Sequence, residues 1–131
     1  MNPSQNALKN TIIHIYQREK DNLVNLYRSS DFVKIEKATL LELSRNIILN
    51  SKKDITKVLR DQFKIENIET IWREIAEEIL DVNYVFSEKI SIKTAYITNR
   101  DNLKNWCDNL YSSVVKTINK RQIRTESNKE N

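Results

Sequence analysis

Apolar side chains recur every three to four residues along most of this chain, a spacing that predicts amphipathic helices. Asn2 and Pro3 are arranged like a helix N-cap followed by proline in the first turn, so we predict a first helix from there to about Arg28. Residues 29–36 interrupt the pattern and are expected to form a connector. The apolar face of this helix consists of Leu8, Ile12, Ile15, Tyr16, Leu23, Leu26 and Tyr27.

The apolar pattern of residues 37–64 predicts two shorter helices. Residues 37–49 carry a broad apolar arc and predict the second helix, which ends where Asn50 and Ser51 break the pattern. Ser51 is followed three residues later by Asp54, an arrangement similar to a capping box. We therefore predict a third helix over residues 52–64, with an inner face of Ile55, Val58, Leu59 and Phe63.

The apolar pattern of the C-terminal half predicts two more helices. One begins at Asn67 and ends at about Leu80, with Trp72 on its apolar face. The last opens near Thr98 and continues to Ile118. Its apolar face consists of Leu103, Trp106, Cys107, Leu110, Tyr111, Val114 and Ile118. After that the chain becomes polar and mostly basic, so residues 119–131 are predicted to be a disordered basic tail.

Residues 82–98 have a different pattern, because their apolar residues alternate with a period of two. This alternation is a strand signal and would allow a short β-hairpin turning at residues 87–89. No glycine marks the turn and the rest of the chain is helical in pattern, so a helix or an irregular connector is the preferred interpretation and the hairpin stays open. The predicted fold class is all-α: a compact helical bundle of about five helices in one domain, residues 1–118, with this hairpin as the open question.

The composition supports this prediction, since the chain has no glycine and one proline, where an average chain of its length would have roughly nine glycines. Phosphate-binding loops, dinucleotide fingerprints and nucleophile elbows depend on glycine, so we expect no enzyme built on such loops. The single cysteine excludes an internal disulfide and is typical of a reducing cytoplasm. Neither a signal peptide nor an apolar run long enough to span a bilayer is recognisable, so no membrane partner is expected.

No residue pattern predicts a catalytic, metal or cofactor site. His14 is the only histidine, and a lone histidine is a poor basis for acid–base catalysis or zinc binding. Cys107 lies on an apolar face and is interpreted as a small core residue. We therefore predict a non-catalytic protein that acts through its surfaces and needs no cofactor.

The net charge of +4 is unevenly distributed. Residues 66–88 carry seven acidic and one basic side chain, whereas the rest of the chain is basic. Four cations repeat at helical spacing opposite the apolar face of the predicted third helix, and such a row matches a nucleic-acid backbone. An ordinary solvated surface is the alternative. The row consists of Lys53, Lys57, Arg60 and Lys64.

Two further charged groups are candidate binding surfaces. The outer face of the predicted fourth helix is acidic and is expected to contact protein, either another subunit or a further copy of this chain. Basic residues near the end of the last helix are a second candidate for nucleic acid, although they also complement the helix dipole. The acidic group is Glu69, Glu74, Glu77, Glu78 and Asp81, and the basic group is Lys116, Lys120, Arg121 and Arg124.

The length, the lack of catalytic residues and the row Lys53, Lys57, Arg60 and Lys64 together resemble the small helical subunit of CRISPR effector complexes. This resemblance implies a short all-helical bundle that lies beside a guide–target duplex and contacts RNA or single-stranded DNA through a basic face. It gives no individual residue a role beyond the basic row. The predicted function is therefore a non-catalytic subunit of a nucleoprotein assembly.

Two other functions remain open from the sequence. One is an immunity, inhibitor or adaptor protein that binds a partner through the acidic helix. The other is a winged-helix DNA-binding protein, with residues 52–64 as its recognition helix and residues 82–98 as its wing.

Overall fold

The described part of the chain is helical apart from residues 35–36 and 63–67. The computed structural model describes residues 3–29, 35–79 and 96–130, with side chains for all of these except residue 37 and residues 122–130. Four helices are present in these ranges, so the predicted all-α class is confirmed, while the prediction of about five helices is wrong by one. They are α1 (Pro3–Ser29), α2 (Lys37–Gln62), α3 (Ile68–Ile79) and α4 (Tyr96–Glu130).

The helices form an up-down-up-down bundle in which each helix packs beside the next and α4 packs back on α1. The contacts fix the directions. Ser4 near the start of α1 donates to the carbonyl of Gln62 at the end of α2, and Tyr27 near the end of α1 accepts from Asn99 near the start of α4. α3 is shorter and runs antiparallel to both α2 and α4.

The core is one apolar cluster to which all four helices contribute. Leu8 and Ile15 of α1, Ile55 of α2, Ile75 of α3 and Leu110 of α4 are among its fully buried members. Both tryptophans and the cysteine are also buried, which confirms the prediction that they are core residues. The buried positions recur at helical spacing, as expected for helices that each bury one apolar face.

The predicted helix break at Asn50 and Ser51 is wrong, because α2 continues through both residues. Ser51 is fully buried and lies four residues from both Ile47 and Ile55, so it belongs to the inner face of one long helix. A serine inside a helix costs about 0.5 kcal/mol relative to alanine, and the Ser51 hydroxyl, buried without a hydrogen-bond partner in the described residues, costs about 1–3 kcal/mol more. Burying the apolar residues on both sides against the same neighbours outweighs that cost.

The predicted end of this helix at residue 64 is also wrong. The helix ends at Gln62, and Lys64 lies beyond it with a φ of 54°, in the left-handed region. The amide of Ile65 donates to the carbonyl of Leu59 at 3.1 Å across this turn. Glycine usually occupies such a position after a helix, and this chain uses a lysine instead.

The last helix is longer than predicted. α4 begins at Tyr96, and its backbone is helical to Glu130, well past Ile118. The disordered basic tail expected over residues 119–131 stays a prediction. Residues 82–95 of the predicted hairpin lie outside the described residues, and residues 96–98 are helical. None of the described helices has an apolar stretch long enough to cross a membrane.

Candidate nucleic-acid interface

Three of the four residues of the predicted basic row lie on α2. Lys53, Lys57 and Arg60 are exposed and lie within about 60° of one another around the helix axis. Ile55 and Leu59, on the opposite side, are fully buried and hold this face outward. Lys64 is exposed too, but it follows the helix end and so does not continue the row.

The three cations differ in how far they are neutralised. Arg60 Nε lies 3.5 Å from Asp61 Oδ1, and both side chains are largely exposed, so this pair is weak. Within the described ranges, no carboxylate forms an ion pair with Lys53 or Lys57. Lys53 and Lys57 lie one turn apart on a packed helix, and they are therefore the two cations of this row without an ion pair in the described residues.

The second basic group lies against α3. Lys116 Nζ is 2.8 Å from Glu78 Oε1, and Ser113 Oγ is 2.8 Å from Glu78 Oε2. The hydrogen bond from Lys116 is the main cause of the lowered pKa of Glu78, the bond from Ser113 is the next, and the charge of Lys120 adds to it. Arg121 Nη2 lies 4.0 Å from Glu74 Oε1. These cations therefore stabilise the contact between α3 and α4.

The remaining predicted residues complete this picture. Glu69 accepts from Lys52 of α2 at 3.0 Å, so three carboxylates of α3 face cations of neighbouring helices. Glu77 is exposed and has no ion pair within the described ranges. Asp81 lies outside the described residues, and for Arg124 only the helical backbone is described. Several acidic side chains of α3 thus form ion pairs with basic side chains of α2 and α4 in the same chain.

A groove between α1 and α2 adjoins the basic row and was not predicted from the sequence. Its volume is about 390 Å³. Lys57 belongs both to the groove and to the row, and His14, which is exposed, lies on the α1 side. In the sequence, the groove corresponds only to polar residues at helical spacing in α1 and in α2, and nothing local shows that these two sets lie side by side. Polar residues of the wall include Asn10, Thr11 and His14 of α1, and Asp54, Lys57 and Asp61 of α2.

Arg18 joins the two walls of this groove. Its Nη1 donates to Asp54 Oδ2 at 2.7 Å, and its Nε donates to Glu19 Oε1 at 3.2 Å. Glu19 is fully buried and also accepts from Asn22 Nδ2 at 2.9 Å. Glu19 was not among the predicted site residues, although its position four residues after Ile15 places it on the apolar face of α1. A guanidinium with carboxylates on both sides fixes α1 against α2.

Other reactive groups do not form a site. Cys107 is fully buried, and burial raises the pKa of its thiol to about 12, so it is not a thiolate at neutral pH. In the described part of the chain, histidine, cysteine and carboxylate side chains form no group of three that could hold a metal ion.

Comparison with protein-family models, with curated proteins and with solved structures gave no match. No functional role is therefore assigned to a residue of this chain from a related protein.

Proposed function

We propose that this protein is a non-catalytic helical subunit of a nucleoprotein assembly in the cytoplasm, and that it binds the backbone of RNA or single-stranded DNA through α2. The observation that carries the proposal is the exposed pair Lys53 and Lys57, without carboxylate partners among the described residues, continued by Arg60. From Lys53 to Arg60 the helix rises by about 10 Å, which is the length of the basic row that would face the strand.

This proposal narrows the expected interface. Lys116 and Arg121 contact carboxylates of α3, so we assign them to the bundle and not to nucleic acid. The proposal also extends to the small helical subunit of CRISPR effector complexes, which the chain resembles in length and in its basic row. Under this proposal such a subunit would contact further protein subunits or copies of itself.

The two other functions have less support. An adaptor acting through the acidic helix has fewer carboxylates available, because three of them already face Lys52, Lys116 and Arg121. Glu77 is the exposed member without an ion pair in the described residues. A winged-helix protein needs a separate recognition helix, but residues 52–62 are the second half of α2 and pack in the bundle along its length.

The test is the salt dependence of binding to a labelled single-stranded oligonucleotide, measured by fluorescence anisotropy. We expect affinity no tighter than about 1 μM for the isolated chain, since backbone contacts alone give weak binding. The triple variant Lys53→Ala, Lys57→Ala, Arg60→Ala is expected to reduce the slope of log K against log salt by about 2, because each lost phosphate contact on a single strand removes about 0.7.

A matched control separates this row from net charge. Lys9, Arg28 and Arg73 are exposed on α1 and α3 and form no ion pair within the described ranges. Changing these three residues to alanine removes the same charge and is expected to leave the slope close to that of the wild type. Equal slopes for both triple variants would overturn the assignment to α2.

A further inference from the structure

The groove between α1 and α2 is lined by both polar and apolar side chains. Asn10 and His14 lie on the α1 side, Lys57 lies on the α2 side, and Ala7 and Val58 supply half-buried apolar surface. Its volume of about 390 Å³ falls within the range of roughly 300–1,000 Å³ that is common for small-molecule sites. A planar group of the size of a nucleobase is therefore a suitable occupant.

The charges of the groove also suit a nucleotide. Asp54 pairs with Arg18 at 2.7 Å, whereas Asp61 has only the weak pair with Arg60 at 3.5 Å. Lys57 is the cation of the groove without an ion pair in the described residues, so it supplies a positive charge at the edge nearest the basic row. The two carboxylates still have lone pairs free to accept hydrogen bonds.

We propose that this groove receives an unpaired base of the strand whose phosphates contact Lys53 and Lys57, an inference that rests on the proposed function. Lys57 then contacts the phosphate at the rim, and the base lies between the two helices. The imidazole of His14 is exposed on the wall and offers a flat ring for stacking. In a duplex the base is stacked and paired, so the groove selects a single strand.

The carboxylates add a preference among bases. Aspartate accepts hydrogen bonds from the exocyclic amino group of a base, which cytosine and adenine carry and thymine lacks. Asp54 and Asp61 line the groove one above the other on α2. The groove therefore favours bases with an amino group, in addition to the backbone contacts that do not distinguish bases.

The experiment uses the full chain with end-labelled oligo(dC), oligo(dA) and oligo(dT) of equal length and one duplex. We expect oligo(dC) and oligo(dA) to bind about tenfold tighter than oligo(dT), the ratio that one good hydrogen bond to a charged acceptor gives. Asn10→Trp, at an exposed position on the wall, is expected to lower single-strand affinity about tenfold by filling the groove, with no change in salt slope or duplex affinity.

Controls make the result specific. Gln5→Trp places the same side chain on an exposed position of α1 away from the groove and is expected to behave like the wild type. If circular dichroism shows that Asn10→Trp is unfolded, His14→Ala takes its place and should also reduce single-strand affinity.

Two failures are distinguishable. If the groove variant binds all three homopolymers like the wild type while the α2 triple alanine variant still reduces the salt slope, the groove inference is wrong and the proposed function stands. If the triple variant leaves the slope unchanged, the proposed function itself fails.

Discussion

Replacing Lys64 by glycine should make this protein more stable, although it would introduce the first glycine into the chain. Lys64 follows the end of α2 with a φ of 54°. In this conformation the Cβ atom of an L-residue comes close to the following carbonyl oxygen, and glycine has no Cβ atom. The adjacent hydrogen bond from Ile65 to Leu59 holds the turn in place whichever residue occupies position 64.

Two opposing effects set the magnitude. The left-handed conformation costs a residue other than glycine about 1–2 kcal/mol. Glycine loses more conformational freedom on folding, which costs about 0.5–1 kcal/mol. The net expectation for Lys64→Gly is an increase of about 0.5–1 kcal/mol in the free energy of unfolding, or an increase of about 2–4 °C in Tm for a chain of this size.

Urea denaturation followed by circular dichroism is the assay, with Lys64→Ala as the control. The alanine variant loses the same charge but keeps a Cβ atom, so its unfolding free energy should stay within about 0.5 kcal/mol of the wild type. A glycine variant no more stable than the alanine variant would refute the argument, because position 64 would then not adopt the left-handed conformation.

Three further predictions follow from side-chain environments. Because the pKa of Glu78 is lowered by Lys116, its charged form stabilises the fold above its ordinary pKa of 4.5, and this stabilisation is lost as pH falls through the lower native value. The difference in unfolding free energy between wild type and Glu78→Gln should therefore shrink below that pH. Cys107, buried with a pKa of about 12, should react with a thiol reagent at pH 8 only as fast as the protein unfolds. Arg18→Ala should destabilise the fold by about 2–3 kcal/mol, because the buried Glu19 loses its cation.

Each of these has an outcome that contradicts it. A constant difference between wild type and Glu78→Gln from neutral to acid pH would mean that the native carboxyl titrates normally. Fast labelling of Cys107 in undenatured protein would place the thiol at the surface. A loss below about 0.5 kcal/mol for Arg18→Ala is typical of an exposed substitution and would mean that Glu19 does not depend on this cation.

The sequence predicted the helices best where their signals are local. α1 was expected from Pro3 to about Arg28 and runs to Ser29, and α3 was expected from Asn67 to about Leu80 and spans Ile68–Ile79. Proline in the first turn and apolar residues at helical spacing act within one or two turns of the chain, so they can be recognised without knowing what the helix packs against.

The helix break predicted at Ser51 from the same kind of local signal is wrong. Serine in a helix is only mildly unfavourable, so whether the chain breaks there depends on what the neighbouring turns bury. Ile47 and Ile55 both pack into the core, and that packing makes α2 one helix. The exposure of Lys53 and Lys57 was predictable from their spacing, whereas the departure of Lys64 depended on where the long helix ended.

Thus the sequence by itself determined that the chain is helical, which side of each helix is apolar and where the charges lie along it. Only the tertiary structure decided which charges meet: Lys116 with Glu78, Lys52 with Glu69, and Arg18 with Asp54. Helical periodicity is a property of neighbouring residues. The pairing of residues far apart in sequence depends on how helices pack and in which register, and that is settled by the core as a whole.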